Sequence, residues 1–452
     1  MSYGAGGMEL GGRSLNTFGL VMINVIAICS LRTLPFAAEF GWHLIFIYLF
    51  AAVGFLFPVA MITSFLTSRF PERGGLYLWV RTALGVRLGF LAIWLQWLYN
   101  LLWYPTAMVF VVNTLLLAFN LPNNSEVVLA LTTIIFWLIT LANCYGMRIS
   151  SAISIFGAII GTLLPILLLS YFAISWAQSG GELQWHTSVN NLNALPLIVN
   201  VIFGLMGIEM SCVHSAEVKN PAKSYPRALI ISCVVIVTLM MLSSLSLAMV
   251  VRHETLSMLS GVNQAFQHLL SQSQLQWLGP FIFTFIAIGG LACIGAWIIG
   301  PSKGLFVAAT DGCIPKFFAK TNAQSVPKRL LVTQAILVSG LNLFYLYMPS
   351  IEQAYETLSI AASQLALIAY VLLIVSAWVL RKTDKKGFEL PGGRKTLSIT
   401  CLISLIVVAL FFLIGFKAPP SLHIKNYVYD FWLILCMLLL ILPIIFVREK
   451  NN

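Results

Sequence analysis

Residues 30–35 read SLRTLP, and they interrupt a long apolar run that extends from near Thr17 to near Phe40. Pro35 lacks a backbone N–H and disfavours helix at the residue before it. Arg32 adds a charge that costs on the order of 3 kcal/mol or more within a membrane unless it is paired or solvated. We therefore expect a membrane helix that unwinds in its middle. Such unwound backbone is tolerated only where it is buried in protein or lines a cavity.

A second interrupted run has the same character. Residues 203–209, FGLMGIE, place Gly204, Gly207 and Glu209 at a similar depth in the sixth apolar run. The first and sixth runs would open two halves of five helices each, so breaks at corresponding positions indicate an inverted repeat. The alternative is that the glycines and the proline only permit close packing or a kink. If both helices do unwind, the freed amides and carbonyls suit the two charges of a zwitterion.

The composition of the whole chain is that of a membrane protein. Of its 452 residues, 59% are hydrophobic and only 9% are charged, and the mean hydropathy is +0.92. A soluble domain carries about 25% charged residues, and one membrane crossing needs roughly 20 apolar residues. The pattern predicts an all-α polytopic membrane protein of about twelve helices, near Thr17–Phe40, Leu44–Thr67, Leu88–Phe119, Val127–Cys144, Ile153–Ala177, Ala194–His214, Ala228–Val251, Trp277–Ala309, Leu330–Tyr347, Gln353–Leu380, Leu397–Phe416 and Tyr429–Val447.

The net charge of +11 follows from the predicted topology. If the N-terminus is cytoplasmic, the 26 basic residues all lie in inside segments except Arg32, Arg252, Lys417 and Lys425. The positive-inside rule then predicts that both termini lie in the cytoplasm, and we expect the protein to lie in the bacterial inner membrane. The positive net charge therefore does not require a nucleic-acid partner. The predicted organisation is a cytoplasmic tail at 1–16, five-helix repeats at 17–177 and 194–380, helices eleven and twelve at 397–447, and a cytoplasmic tail at 448–452.

Cysteine and histidine show no pattern of a reactive or metal site. The eight cysteines are scattered without a CxxC pair, and none of the six histidines stands near another at metal-ligand spacing. The cysteines are typical of small core residues. The sequence therefore predicts no metal, no cofactor and no enzyme active site.

Four stretches resemble one known family. They are SLRTLPFAAEFG at 30–41, FPERGGLYLWVRTALG at 70–85, GIEMSCVHSAEVKNPAKSYPRA at 207–228 and WIIGPSKGLFVAATDGCIPKFF at 297–318. Together they resemble the amino acid-polyamine-organocation (APC) superfamily and, within it, the glutamate/GABA antiporter-like branch. The resemblance implies a LeuT-type fold of five plus five inverted helices with two extra helices, alternating access, and a site of amino-acid size at the two breaks. A homodimer is left open.

The same resemblance implies roles for individual residues. It assigns substrate binding to Ser30, Leu31, Arg32, Thr33, Phe203, Gly204, Gly207, Glu209 and Trp297. Phe203 matches an aromatic lid over the substrate, and Trp297 matches a lining residue of the eighth helix. A gating or proton-linked role falls to Glu209, Tyr370 and Lys303, and a conformational role to the inside loops around Pro71, Gly74, Gly75, Lys219, Asn220, Pro221 and Arg227. The plain alternative is that the aromatic residues are ordinary core side chains.

Three predicted intramembrane charges need partners, namely Arg32, Glu39 and Glu209. Arg32 and Glu39 lie two helical turns apart, so Glu209 is the nearer candidate partner for Arg32. Two hypotheses follow: a structural clamp between Arg32 and Glu209, which we favour because buried charges are usually paired within the protein, or recognition of a substrate carboxylate by Arg32.

The energy source for transport is predicted from residue types that the eighth and fifth helices lack. Residues 289–296 of the eighth helix read GGLACIGA, without the Ser/Thr pair of sodium-coupled members of this fold. The predicted fifth helix holds no lysine of the kind that some proton-coupled relatives use. Exchange of one amino acid for another is therefore favoured, with Glu209 as a candidate proton carrier. A proton-coupled importer is the alternative, and a channel or a membrane enzyme fits less well.

Overall fold

A computed structural model describes residues 16–71, 74–145, 157, 159–184, 194–218, 221–323, 326–419, 422 and 424–447. Within these ranges, eleven helices are long and apolar enough to cross a membrane, and one bent pair brings the number to twelve. The predicted all-α polytopic fold is confirmed. The spans are Thr17–Ile28 with Leu31–Ala38, Gly41–Arg69, Val86–Ala118, Ser125–Cys144, Ile159–Gln178, Leu195–Cys212, Lys223–Val250, Gln276–Thr310, Lys328–Tyr347, Ile351–Leu380, Gly393–Ile414 and Asn426–Ile445.

Most helix ends lie within a few residues of the predicted ones. The largest difference is in the seventh helix, which was expected from Ala228 and begins at Pro221. The first amides of a helix need no intrahelical partner, so proline fits there. Lys223 and Arg227 make this first stretch too polar for a hydropathy pattern to detect. The predicted start of the fifth helix at Ile153 lies outside the described residues.

The first helix is broken, as the sequence predicts. Its halves, Thr17–Ile28 and Leu31–Ala38, meet at an angle of 41°, and the chain between them is extended at Ser30. The expected role of Pro35 is wrong in detail, because the proline lies in the first turn of the α-helical segment Leu34–Ala38. Proline is favoured there because its fixed φ suits the start of a helix. Pro35 therefore starts the second half, and the break precedes it.

The sixth helix is also broken at the predicted place. An α-helical segment, Ile198–Phe203, ends at Gly204, and a 3-10 segment, Ile208–Glu217, follows. Gly207 lies between them with φ of +117°, a backbone conformation that costs a side-chain-bearing L-residue free energy. A glycine is therefore required at the point where the chain changes direction.

The remaining helices surround these two breaks. The third helix is largely buried and packs against the eighth and tenth helices. The fifth helix begins with a π-helical turn, Ile159–Leu163, and approaches the eighth so closely that a Cβ on Gly161 would lie 2.2 Å from the Gly289 nitrogen. Two short helices, Leu76–Leu84 and Gly261–Gln272, connect spans at opposite ends of the bundle.

Candidate functional site

A small cavity of about 40 Å³ lies between the two helix breaks. This volume holds only about three water molecules, so an amino acid can bind there only after the walls move apart. The cavity is lined by the first, third, sixth and eighth helices through Ala27, Ile28, Ser30, Arg32, Thr33, Tyr99, Asn100, Trp103, Phe203, Gly204, Met206, Cys293 and Trp297. Its position at the unwound backbone, between the predicted binding residues, makes it the candidate binding site.

Aromatic side chains form one wall of the cavity. The indole Nε1 of Trp297 donates to the carbonyl of Ala27, at 3.0 Å, in the last turn of the first half-helix. Gly207 lies against the same indole, and a Cβ there would come within 2.7 Å of Trp297 Cζ2. The Phe203 ring meets the Tyr99 ring edge-on, with centroids 6.1 Å apart. Trp297 thus ties the first, sixth and eighth helices together at the breaks.

Arg32 is buried at the wall of the cavity, with 3% of its surface exposed. One terminal nitrogen, Nη1, donates to the hydroxyls of Thr106 and Ser359, both at 3.2 Å, and of Tyr355 at 3.5 Å. The guanidinium also lies over the ring of Trp103, 5.9 Å from its centroid. Its Nε has no hydrogen-bond partner. The hydroxyls fix the position of the charge without neutralising it.

The expected clamp between Arg32 and Glu209 is wrong. Within the described part of the chain, Arg32 forms no ion pair. Glu209 Oε2 instead accepts from the Tyr370 hydroxyl at 2.5 Å, and its Oε1 accepts from Gln96 Nε2 at 3.5 Å. The physical reason is that neutral donors can stabilise a buried carboxyl group, so a buried acid does not require a cation.

Tyr370 connects the acid to the break in the sixth helix. The Gly207 amide, which the unwound backbone leaves available, donates to the Tyr370 hydroxyl at 2.8 Å. The same hydroxyl donates a hydrogen bond to the Glu209 carboxyl group. A change in the charge or position of Glu209 can therefore be transmitted to the Gly207 backbone, next to the cavity, through the Tyr370 hydroxyl.

The structure brings most of the predicted substrate-binding residues together. Six of them line the main cavity: Ser30, Arg32, Thr33, Phe203, Gly204 and Trp297. Gly207 contacts Trp297, and Leu31 lines a neighbouring cavity. Glu209 and Tyr370 lie behind the sixth-helix break. Lys303 is partly buried in the eighth helix and lines neither cavity.

Sequence reasoning missed the contribution of the third helix. Tyr99, Asn100 and Trp103 line the cavity, and Gln96 contacts Glu209. The signal that was available is the pair Gln96 and Asn100, two amides four residues apart in an apolar helix and therefore on one face. Both are buried.

The neighbouring cavity lies on the other side of Arg32. It has a volume of about 20 Å³ and shares Ser30, Arg32, Trp103 and Cys293 with the main cavity. The fifth helix contributes Thr162, whereas the eighth contributes only backbone, apolar groups and a thiol. This lining supports the prediction that sodium is disfavoured, because sodium prefers oxygen ligands and Arg32 already carries a positive charge here.

Polar contacts fasten the predicted cytoplasmic ends of the helices. At the end of the second helix, Arg69 pairs with Glu389 at 3.0 Å, and its Nε donates to the Lys385 carbonyl at 2.8 Å. In the short helix Leu76–Leu84, Tyr77 and Arg81 both contact Asp311, each at 2.6 Å. Of the residues predicted to act in the inside gate, Gly74 and Gly75 have positive φ, while Lys219 and Asn220 lie outside the described residues. The contacts join segments far apart in sequence at one end of the bundle.

Comparison with known proteins identifies the family. A family model described as amino acid permease matches residues 15–442. An uncharacterized transporter of Legionella pneumophila is 39% identical over 451 residues, covering 97% of each chain. A glutamate/gamma-aminobutyrate antiporter of Lactococcus lactis is 28% identical, covering 94% of this chain and 87% of its own. A probable agmatine/putrescine antiporter of the same species is 25% identical, covering 89% and 87%. With its broken helices and central cavity, the chain belongs to the amino acid permease family.

Proposed function

We propose that this protein exchanges amino acids across the cell membrane by alternating access, and that an acidic amino acid such as glutamate is one of its substrates. Two relatives at 28% and 30% identity are named glutamate/gamma-aminobutyrate antiporters, which supports the substrate class. Both termini are proposed to lie in the cytoplasm, in agreement with the positive-inside rule.

The observation that carries the proposal is the state of Arg32. Its charge is buried at the cavity wall, has no acidic partner among the described residues, and keeps Nε without a hydrogen bond. A buried charge is costly unless a counter-charge or strong hydrogen bonds compensate it. A substrate carboxylate supplies that counter-charge and accepts from a guanidinium in a favourable planar geometry. The site is therefore suited to bind an anion.

Exchange is preferred to proton-coupled import because the described site has no charged lysine in the fifth helix and no second acid beside Glu209. The contact that favours the alternative is the pair Glu209 and Tyr370, since a carboxyl group that takes up and releases a proton beside the break would couple protons to transport. Both schemes use the same cavity, so a transport assay must separate them.

The assay is counterflow in proteoliposomes. We expect radiolabelled glutamate to enter vesicles loaded with unlabelled glutamate several-fold faster than empty vesicles, because a loaded carrier returns through the membrane with substrate. A protonophore should leave this acceleration unchanged. A panel of unlabelled amino acids inside the vesicles then ranks the substrates.

Two other results would change the assignment. Uptake into empty vesicles that requires an inward proton gradient would establish the importer. Flux that internal substrate does not accelerate would exclude a carrier and favour a channel.

A further inference from the structure

The segment between the seventh and eighth helices, residues 251–275, is called the lid here. It lies across the ends of the helices that line the cavity, on the side that the predicted topology places outside. Asn263 donates from Nδ2 to Thr114 of the third helix at 3.1 Å. Gly261 packs against the first helix, where a Cβ on it would lie 3.2 Å from Pro35 Cγ. The lid therefore spans the outer side of the site.

Two carboxylates hold the lid in place. Glu352, in the first turn of the tenth helix, accepts from the Met258 amide at 2.6 Å. Glu39 Oε1 lies 2.9 Å from His253 Nε2. Glu39 follows Ala38, the last residue of the first span, and precedes Gly41, the first residue of the second, so it lies in the connection between the two spans and not within the predicted helix Thr17–Phe40. The Glu39 side chain is 10% exposed and that of His253 is 25% exposed.

The surroundings of Glu39 disfavour its charge. Burial, together with the carboxylate of Glu356 on the tenth helix, raises the pKa of Glu39 from 4.5 to about 7. Other charged or titratable groups at this end have their own surroundings. Glu352 accepts a hydrogen bond from the Met258 amide of the lid, and His43 and His268 pack against the rings of Trp42 and Trp176. Arg252 and Glu254 are exposed. Glu39 and His253 are thus the titratable pair that joins the lid to the first helix.

We propose that Glu39 and His253 form a proton-binding site that latches the lid over the outer side of the substrate cavity, so that external protons stabilise the closed outer gate. The contact survives protonation because a neutral carboxyl group can donate to the imidazole, whereas the ionised form is disfavoured by burial and by the charge of the Glu356 carboxylate. The latch rests on the proposed transport function and on the predicted orientation.

The sign of the effect follows from linkage. Opening the lid would hydrate Glu39 and return its pKa towards 4.5, so closure raises that pKa to about 7 and takes up a proton. The contribution to closure is fully present below pH 4.5 and is lost as the external pH rises through about 7. Within that window the ratio of closed to open outer gates changes by up to about tenfold per pH unit.

The test uses a cysteine that the protein already has. Cys293 lines both cavities, so a membrane-impermeant thiol reagent added outside reaches it only when the outer gate is open. We expect its modification in right-side-out vesicles, measured by peptide mass spectrometry at fixed internal pH, to accelerate between external pH 5.5 and 8 more steeply than the rising thiolate fraction explains, with the Glu39→Gln protein as the reference for the thiol chemistry.

Three variants assign the effect to the latch. Glu39→Gln fixes the neutral form, so its profile should keep only the rise that comes from the thiolate fraction of Cys293, and its rate at pH 8 should stay well below that of wild type. His253→Gln removes the second titrating group and should give the same shallow profile, which keeps the proposal testable if one variant folds poorly. Glu254→Gln is the matched control, because it removes an exposed carboxylate one residue away from His253, and it should retain the wild-type profile.

A wild-type rate that rises with external pH no more steeply than the rate of the Glu39→Gln protein would overturn the latch. This result does not bear on whether amino acids are exchanged. Failure of counterflow at every pH would instead contradict the proposed function while Cys293 modification still reports on the lid.

Discussion

Replacing Arg32 with methionine should reduce the transport efficiency, kcat/KM, for glutamate by about 10- to 150-fold, because a hydrogen-bonded charge contributes about 1.5–3 kcal/mol. Transport of glutamine should change only a few-fold, since its neutral side chain does not need the guanidinium. Counterflow with each labelled amino acid measures the two efficiencies. Arg32→Lys keeps the charge without the planar fork and should fall between wild type and Arg32→Met.

The stability of the Arg32→Met protein separates recognition from a structural role. Arg32 has no acidic partner among the described residues, so the substitution removes a buried charge together with three bonds to hydroxyls. We expect the thermal midpoint of the substrate-free protein to stay near the wild-type value or to rise. A large loss of folded yield, or an unchanged preference for glutamate in a stable protein, would contradict direct recognition.

Gly207→Ala should abolish transport and lower the thermal midpoint. The new Cβ would lie 2.7 Å from Trp297 Cζ2, on backbone with φ of +117°. Overpacking and the left-handed conformation together cost about 2–5 kcal/mol. The strain would also displace the Gly207 amide from the Tyr370 hydroxyl.

Gly204→Ala is the matched control at the other end of the same break. Gly204 has φ of −65°, which alanine adopts freely, and its Cβ would come within 3.0 Å of only the Thr33 hydroxyl oxygen. We expect a milder loss of both transport and thermal stability. Equal effects of the two substitutions would mean that the backbone of Gly207 carries no special constraint.

The breaks in the first and sixth helices were predictable because their causes are local. Proline and glycine alter the backbone at their own positions, and a buried arginine in an apolar run is conspicuous. The contacts of Arg32 were not predictable in the same way. Its hydroxyl partners lie on the third and tenth helices, at separations of 74 to 327 residues, and hydroxyl groups are too common in the sequence to single out.

Buried charges are hard to pair from sequence where neutral groups stabilise them. The sequence pattern favours Glu209 as the acid that offers Arg32 a counter-charge, whereas in the structure Tyr370 and Gln96 stabilise this acid. The apolar run continues past Glu39 and therefore predicts that this residue lies within the first helix, whereas the helix ends at Ala38. Its contact with His253, more than 200 residues later in the sequence, depends on how the lid packs, which no local pattern encodes.

The claim that the cavity between the breaks binds an acidic amino acid is tested most directly by protection of Cys293 in the purified wild-type protein. The rate of Cys293 alkylation is measured by peptide mass spectrometry while glutamate or its neutral isostere glutamine is added at increasing concentration. We expect glutamate to slow the reaction at a concentration at least about tenfold lower than glutamine, the difference that one charged hydrogen bond supplies. Alkylation that glutamate does not slow, or that both amino acids slow equally, would contradict the proposed site.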